Sequence, residues 1–367
     1  MSCRYRLLPC AEGELKWRHL AAPRGTEVEM IIDAHAHISG PMRVWEHFRE
    51  LAGMAPGFKP APLNLTDDEI QESLRDQLSG SAAVGTDMQF VVGRPWAIPT
   101  AFRRESAVMY ITQQVNDMFA RCVQLNPDRL VGMVTLPQVA GVNPRNCVEE
   151  LERCVEQYGF VGCKINCDPG EGGIETPHLG EEWWYPVYEK MVELGIPGLL
   201  HGGHYNFSRE PELGYYPAEV TIGAWALLRT PRVFKDFPDL KIIVGHGGGY
   251  VPYQLGRARG FRLNEQARDP SLESFDESLA RLYFDTVLYS GESVEHLLKV
   301  IGVDRCIFGT DRPANGDTID PLTGHAFNDI KWYIENIPWL TEEDRYKIFE
   351  GNARKLFSRA KLPADKE

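Results

Sequence analysis

From Met30 onward the chain alternates short, nearly continuous apolar runs with amphipathic stretches, eight times in succession. A strand that is apolar at almost every position must be covered on both faces, as parallel strands flanked by helices are. The candidate strands are 30–33, 88–92, 130–136, 160–165, 197–201, 241–245, 282–286 and 305–309. Helical patterns lie between them. Thr66-Asp67-Asp68-Glu69 reads as a cap followed by an acidic first turn. The stretch 107–124 stops at Asn126-Pro127, while 143–158 and 184–194 each end at a glycine, Gly159 and Gly195. Further helices are expected near 221–234, 293–301 and 342–350. Eight β/α alternations favour a (β/α)8 TIM barrel over an open doubly wound sheet. The 367 residues suit one such barrel as well as two smaller domains.

The expected organisation is a leader, 1–29, outside the barrel, and a barrel domain, 30–367, closed by C-terminal helices. An insertion after the first strand, 38–65, rich in Pro, Gly and Ala, must sit at the C-terminal rim, where barrel active sites lie. Residues 1–29 carry basic residues but no apolar run of the kind a secretory signal needs. No apolar stretch approaches the length of a membrane span.

Composition narrows the partners. Against 39 Lys and Arg stand 52 Asp and Glu, a net charge of −13. Such a surface repels phosphate backbones and anionic lipid, so neither nucleic acid nor membrane is expected as a partner. The eight cysteines contain no C-x-x-C pair, which reads as reduced thiols in a cytoplasmic protein.

Chemistry-bearing residues fall at strand ends. The first strand runs into Asp33-Ala34-His35-Ala36-His37. Residues two apart in an extended chain project to the same side, so His35 and His37 can share one ion. The fifth strand ends at His201, followed by Gly202-Gly203-His204. The sixth ends at His246, followed by three glycines, and the eighth ends at Asp311. Imidazole nitrogen and carboxylate oxygen together suit one borderline divalent ion, Zn²⁺ first and Mn²⁺ second. Three or four protein ligands leave an open position for water or substrate.

The order H-x-H, His, His, Asp resembles the amidohydrolase superfamily. The stretch from His246 through Gly-Gly-Gly-Tyr-Val-Pro-Tyr-Gln-Leu-Gly to Arg257 resembles its branch of aminocarboxymuconate-semialdehyde decarboxylase-like enzymes. The stretches beginning at Leu151, Trp184, Ile319 and Ile348 are more specific and resemble the 4-oxalomesaconate hydratases. The resemblance implies that His35, His37, His201 and Asp311 are metal ligands. It also implies that His246 is an acid/base group near the ion and that Asp311 doubles as a proton shuttle. It departs from the hydratase pattern at Asp311, where those enzymes carry Glu. One methylene moves the carboxylate by about 1.5 Å, enough to change which atom it can protonate.

An enzyme of this kind must hold a substrate carboxylate, and arginine does so bidentately. Arg94, directly after the second strand, and Arg257, after the sixth, are the candidates, with Arg103 and Arg104 behind them. His204, Tyr205 and His325 are further substrate-binding candidates; Trp96, Tyr205 and Phe284 could line an aromatic pocket, although aromatics at a barrel rim more often serve packing. Lys164, near the end of the fourth strand, is expected to pair with an acid such as Asp168 or Glu171, or to meet a substrate carboxylate, rather than to bridge two ions. The reading that follows is a metal-dependent nonoxidative decarboxylase, a carbon–carbon lyase acting on a carboxylated aromatic or a muconate-like acid. A hydratase of an unsaturated keto acid and a hydrolase of an ester, lactone or amide use the same residues. A non-catalytic binder of a small acid is the alternative from another class. The resemblance also implies a homodimer or higher homo-oligomer, with Arg257 or Arg262 crossing between subunits.

Overall fold

The computed structural model describes residues 30–53, 63–94, 104–168, 176–203 and 215–362. Nine strands follow one another: β1 (Ile32–Ile38), β2 (Met88–Gly93), β3 (Leu130–Gly132), β4 (Val134–Thr135), β5 (Cys163–Asn166), β6 (Gly198–His201), β7 (Ile242–Val244), β8 (Leu282–Asp285) and β9 (Cys306–Ile307). Every pairing is parallel and sequential, β1 to β3 and β4 to β9. β3 and β4 form one barrel strand interrupted at Met133, whose N–H still donates to Val91 O while Val134 N–H turns to Gly162 O. The last strand returns to the first. Ala34 N–H donates to Phe308 O, Asp311 N–H to His35 O and His37 N–H to Arg312 O, at 2.8–2.9 Å. Eight barrel strands therefore form a (β/α)8 TIM barrel.

The helices are α1 (Met42–Gly53), α2 (Asp67–Ala83), α3 (Glu105–Leu125), α4 (Val148–Tyr158), α5 (Tyr185–Leu194), α6 (Tyr215–Arg229), α7 (Arg232–Asp236), α8 (Leu255–Gln266), α9 (Phe275–Leu279), α10 (Gly291–Ile301), α11 (Ile330–Glu335), α12 (Glu342–Tyr346) and α13 (Asn352–Leu356). Thr66 opens α2 with a full capping box to Glu69. Gly159 and Gly195 close α4 and α5 in the left-handed conformation. The helix expected over 221–234 is split at Thr230-Pro231 into α6 and α7, because proline cannot continue a helix. The expected insertion is partly helical: α1 buries Val44, Trp45 and Phe48 in the core. Residues 1–29 and 54–62 lie outside the described residues. No helix among those described is long and apolar enough to cross a membrane.

Two apolar layers follow from strand alternation. Val91, Cys163, Ile165, Ile242, Val244, Leu282, Phe284 and Phe308 face outward into the strand–helix layer. Phe90, Val92, Met133, Leu199, Ile243, Tyr283 and Ile307 fill the barrel interior. Ala353, Leu356 and Phe357 of the C-terminal segment close that interior, with Phe357 edge-on to Phe90 at 4.6 Å between ring centroids. β1 carries a register shift between Asp33 and Ala36. Ile32 and Ala34 belong to the inner layer before it, whereas Ala36 and Ile38 belong to the outer layer after it. The shift re-aims the strand so that His35 and His37 both face the barrel mouth.

Candidate metal centre

Three segments, β1, β6 and the turn after β9, deliver ligand atoms to one point above the inner apolar layer. The ligand atoms of His35, His37, His201 and Asp311 all lie within 4.8 Å of one another. Asp311 Oδ1 is 2.9 Å from His37 Nε2 and 3.8 Å from His35 Nε2. The His246 ring stands 4.8 Å from His201 and 5.3 Å from His35, centroid to centroid. The closing strand comes so near that a Cβ on Gly309 would lie 2.9 Å from the His35 Cβ.

Outer contacts fix which nitrogen each ring offers. His35 Nδ1 lies 2.5 Å from Asp285 Oδ2, His37 Nδ1 3.1 Å from Val92 O, and His201 Nδ1 2.8 Å from Gly202 O. Each partner only accepts, so each Nδ1 carries the proton and each Nε2 turns a lone pair inward. The Nε2 atoms of His35, His37, His201 and His246 are buried and have no hydrogen-bond partner among the described residues. Buried, unsatisfied acceptors are costly, and a divalent cation would satisfy them together. The donor set therefore fits one borderline metal ion.

The electrostatics prepare the same state. Burial pushes the His37 imidazole down to about 4, against the pull of Asp311. Burial, reinforced by the neighbouring histidines, pushes His201 well below the usual histidine range, and burial lowers His246. Burial opposes ionisation of Asp311, yet His37, His246 and His35 hold its carboxyl far below the usual carboxylate range. Neutral imidazoles and an ionised carboxylate are what a divalent ion requires. His35 differs: burial opposes its charge, but Asp285 and Asp311 overcome this and raise it.

The turns that carry the site are strained. His246 (φ +51°) and Asp311 (φ +62°) are the non-glycine residues with positive φ among those described, a conformation that concentrates at functional sites. Asp285 Oδ1 accepts from Gly247 N–H at 2.9 Å and so anchors the His246 turn. Tyr289 donates its hydroxyl to Asp311 Oδ2 at 3.0 Å, and Tyr216 stacks on His246 at 5.9 Å.

Arg94 reaches this mouth. Its Nε donates to Ser39 Oγ at 2.9 Å. Burial lowers its pKa, opposed by the charges of Asp311, Tyr289, Asp317 and Tyr216. The other candidates are placed elsewhere. Arg257 is exposed on α8 and lines a groove with Trp225 and Phe261. Arg262 is buried and spends its guanidinium on Leu228 O, Glu273 O and Ser278 Oγ. Arg104 is exposed at the start of α3. His325 bonds Asp329 at 2.8 Å and stacks on Trp332 at 4.3 Å, outside the metal group. Phe284 faces the outer layer, because its neighbour Asp285 takes the inward position. His204, Tyr205, Trp96, Arg103 and Glu171 lie outside the described residues. Lys164 is buried and donates to Gly93 O at 2.8 Å, with Glu219 as the charge beside it.

Sequence reasoning overlooked Asp285, Tyr289 and Tyr216. Asp285 ends a strand as the histidines do, and that position was its signal. The two tyrosines have none, since only the folded chain brings Tyr289, on the loop after β8, to Asp311 and Tyr216, at the start of α6, to His246.

Comparison with known proteins identifies the family and agrees with the fold. A family model described as amidohydrolase matches residues 32–359. A 2-keto-4-carboxy-3-hexenedioate hydratase from Sphingobium sp. (strain NBRC 103272 / SYK-6) is 37% identical over 342 residues, covering 91% of this chain and 98% of the relative. The crystal structure of a 4-oxalomesaconate hydratase from Rhodopseudomonas palustris superposes with a TM-score of 0.79 at 34% identity, over 90% of this chain and 96% of that one. A dihydroxybenzoic acid decarboxylase from Polaromonas sp. JS666, solved with manganese and an inhibitor, shares the fold at 22% identity and a TM-score of 0.66, over 90% of this chain and 97% of that one.

Proposed function

This chain belongs to the amidohydrolase family, and from that premise we propose that it is a metal-dependent hydratase of an unsaturated keto acid bearing two or three carboxylates. The observation that carries the reading is the 37% identity to a hydratase along nearly the full length of both chains. The decarboxylase with manganese shares 22%. The hydratase reading therefore takes precedence over the decarboxylase expected from the strand-end motifs. His35, His37, His201 and Asp311 would hold the ion, Mn²⁺ or Zn²⁺. When bound, such an ion supplies Lewis-acid chemistry, polarising a substrate oxygen and making water more acidic.

The remaining chemistry belongs to the side chains. Arg94 grips a substrate carboxylate at the rim with its guanidinium fork. Asp311, held ionised, accepts at Oδ1 the proton released by water as the new C–O bond forms. Tyr289 keeps Oδ2 occupied, so that Oδ1 remains on the His37 side. The electron pair of the double bond moves toward the conjugated carbonyl. A proton then returns to the neighbouring carbon, and His246, with Nε2 free of hydrogen bonds among the described residues, stands where it can relay it. Water is added whole and nothing leaves.

One residue favours a second reading. Asp311 stands where the hydratase pattern has Glu, and Asp is the decarboxylase residue. Protonation of the substrate carbon would then precede loss of CO₂. The metal-reconstituted protein given a conjugated keto tricarboxylic acid separates the two readings. Loss of ultraviolet absorbance without CO₂ supports the hydratase; CO₂ released in step with that loss supports the decarboxylase and overturns the first reading.

A further inference from the structure

The three imidazoles differ in what stands behind their Nδ1 atoms. His35 has a carboxylate in direct contact, Asp285. His37 bonds the carbonyl of the Val92–Gly93 peptide, whose own N–H meets the neutral hydroxyl of Thr135 at 3.3 Å. His201 bonds the carbonyl of the Gly202–Gly203 peptide at 2.8 Å. The N–H of that same peptide donates to Glu219 Oε2 at 2.7 Å. Glu219 lies on α6, 2% exposed, and its other oxygen accepts from Asp168 N–H at 2.9 Å.

We infer that Glu219 is a positioning residue for the metal ligand His201, acting through the Gly202–Gly203 peptide. The inference rests on the metal-centre reading above. A hydrogen bond from a peptide N–H to an anion is stronger than one to a neutral acceptor. It draws electron density onto the peptide oxygen and so strengthens the bond that oxygen accepts from His201 Nδ1. The ring is held in one orientation with an electron-rich Nε2, as when a carboxylate touches a ligand histidine directly. Glu219 thus gives His201, at one remove, what Asp285 gives His35. The glycines make the arrangement possible. A Cβ on Gly202 would lie 2.3 Å from the Tyr216 ring, and one on Gly203 2.2 Å from the Asn166 amide. By tying Asp168 to Gly203, the same carboxylate also fixes the ends of β5 and β6 against each other.

The test measures Zn²⁺ affinity of the full-length chain by competition with a chromogenic chelator, for wild type, Glu219→Gln and Glu219→Asp. The expected order is wild type, then the Asp variant, then the Gln variant, with the Gln variant weakened about 10–100-fold. Nitrogen-15 histidine spectra of the zinc-loaded proteins should show the His201 Nδ1 signal displaced in the Gln variant. Equal affinities with an unmoved His201 signal would overturn the inference, even if the melting temperature fell, because a purely structural role moves only the latter. Should the Gln variant fail to fold, the Asp variant decides: a several-fold loss supports the inference, and wild-type affinity overturns it. Failure of the metal-centre reading itself looks different: wild type then binds zinc no more tightly than His201→Ala.

Discussion

Asp285 and His35, 250 residues apart in sequence, meet at 2.5 Å across the barrel mouth. The contact sets the His35 tautomer, and the other Asp285 oxygen holds the turn that carries His246. One carboxylate thereby orients two of the histidines around the centre. Both partners are fully buried, so breaking the pair leaves polar groups without water or partner.

Asp285→Ala is therefore expected to do two things. It should lower stability by about 1–3 kcal/mol through the unpaired buried groups. It should also weaken metal binding by about 10–100-fold. Chemical denaturation and metal competition measure the two separately. A variant with wild-type affinity for metal would show that Asp285 is not needed to orient His35.

His201→Ala removes a proposed ligand whose Nε2 has no hydrogen-bond partner among the described residues. Elemental analysis after dialysis should find the bound ion lost, and turnover with it. Retained turnover would refute the ligand assignment.

The eight strands, several of the helices between them and the four residues of the candidate metal group were legible in the sequence, whereas α1, α8, α9, α11 and α13 were not. Parallel strands advertise themselves by apolar runs, and a histidine or aspartate at the end of such a run interrupts the pattern visibly. Phe284 packs in the outer layer, the commoner of the two readings for a rim aromatic; a strand end shows which residues are near the mouth but not which side each faces, and Asp285 takes the inward position. Arg257, expected from its motif to hold a carboxylate or to cross between subunits, is carried by the helix after β7 to the outer groove of the single chain. The partners of the ligands were harder to see. Asp285 pairs with a residue 250 positions away, and Glu219 acts through two backbone groups, so no local pattern announces either.

Arg94→Lys should raise KM more than it lowers kcat. A bidentate fork becomes a single point charge, and losing a charged hydrogen bond is worth about 1.5–3 kcal/mol, or roughly a 10–100-fold change in KM. Steady-state kinetics would decide it. An unchanged KM would remove Arg94 from the substrate contacts.

Lys164 predicts a pH dependence of stability. Burial pushes its amine down to about 7 from 10.5, against the opposing pull of Glu219. Between those values the unfolded chain binds a proton there and the folded chain does not, so stability rises with pH. Below about pH 7 both forms are protonated, so the slope vanishes and the full cost of the buried charged amine remains. Thermal melts of metal-free protein should show wild type gaining on Lys164→Met as pH rises from about 7 to 9. A constant difference over that window would show that the buried amine keeps its proton.

The most direct measurement is the mass of the product formed in heavy-oxygen water. Metal-reconstituted protein and a conjugated keto tricarboxylic acid should give a product heavier than its substrate by one labelled water, and chelation should abolish its formation. A product lighter by CO₂, or one formed equally without metal, would contradict the account.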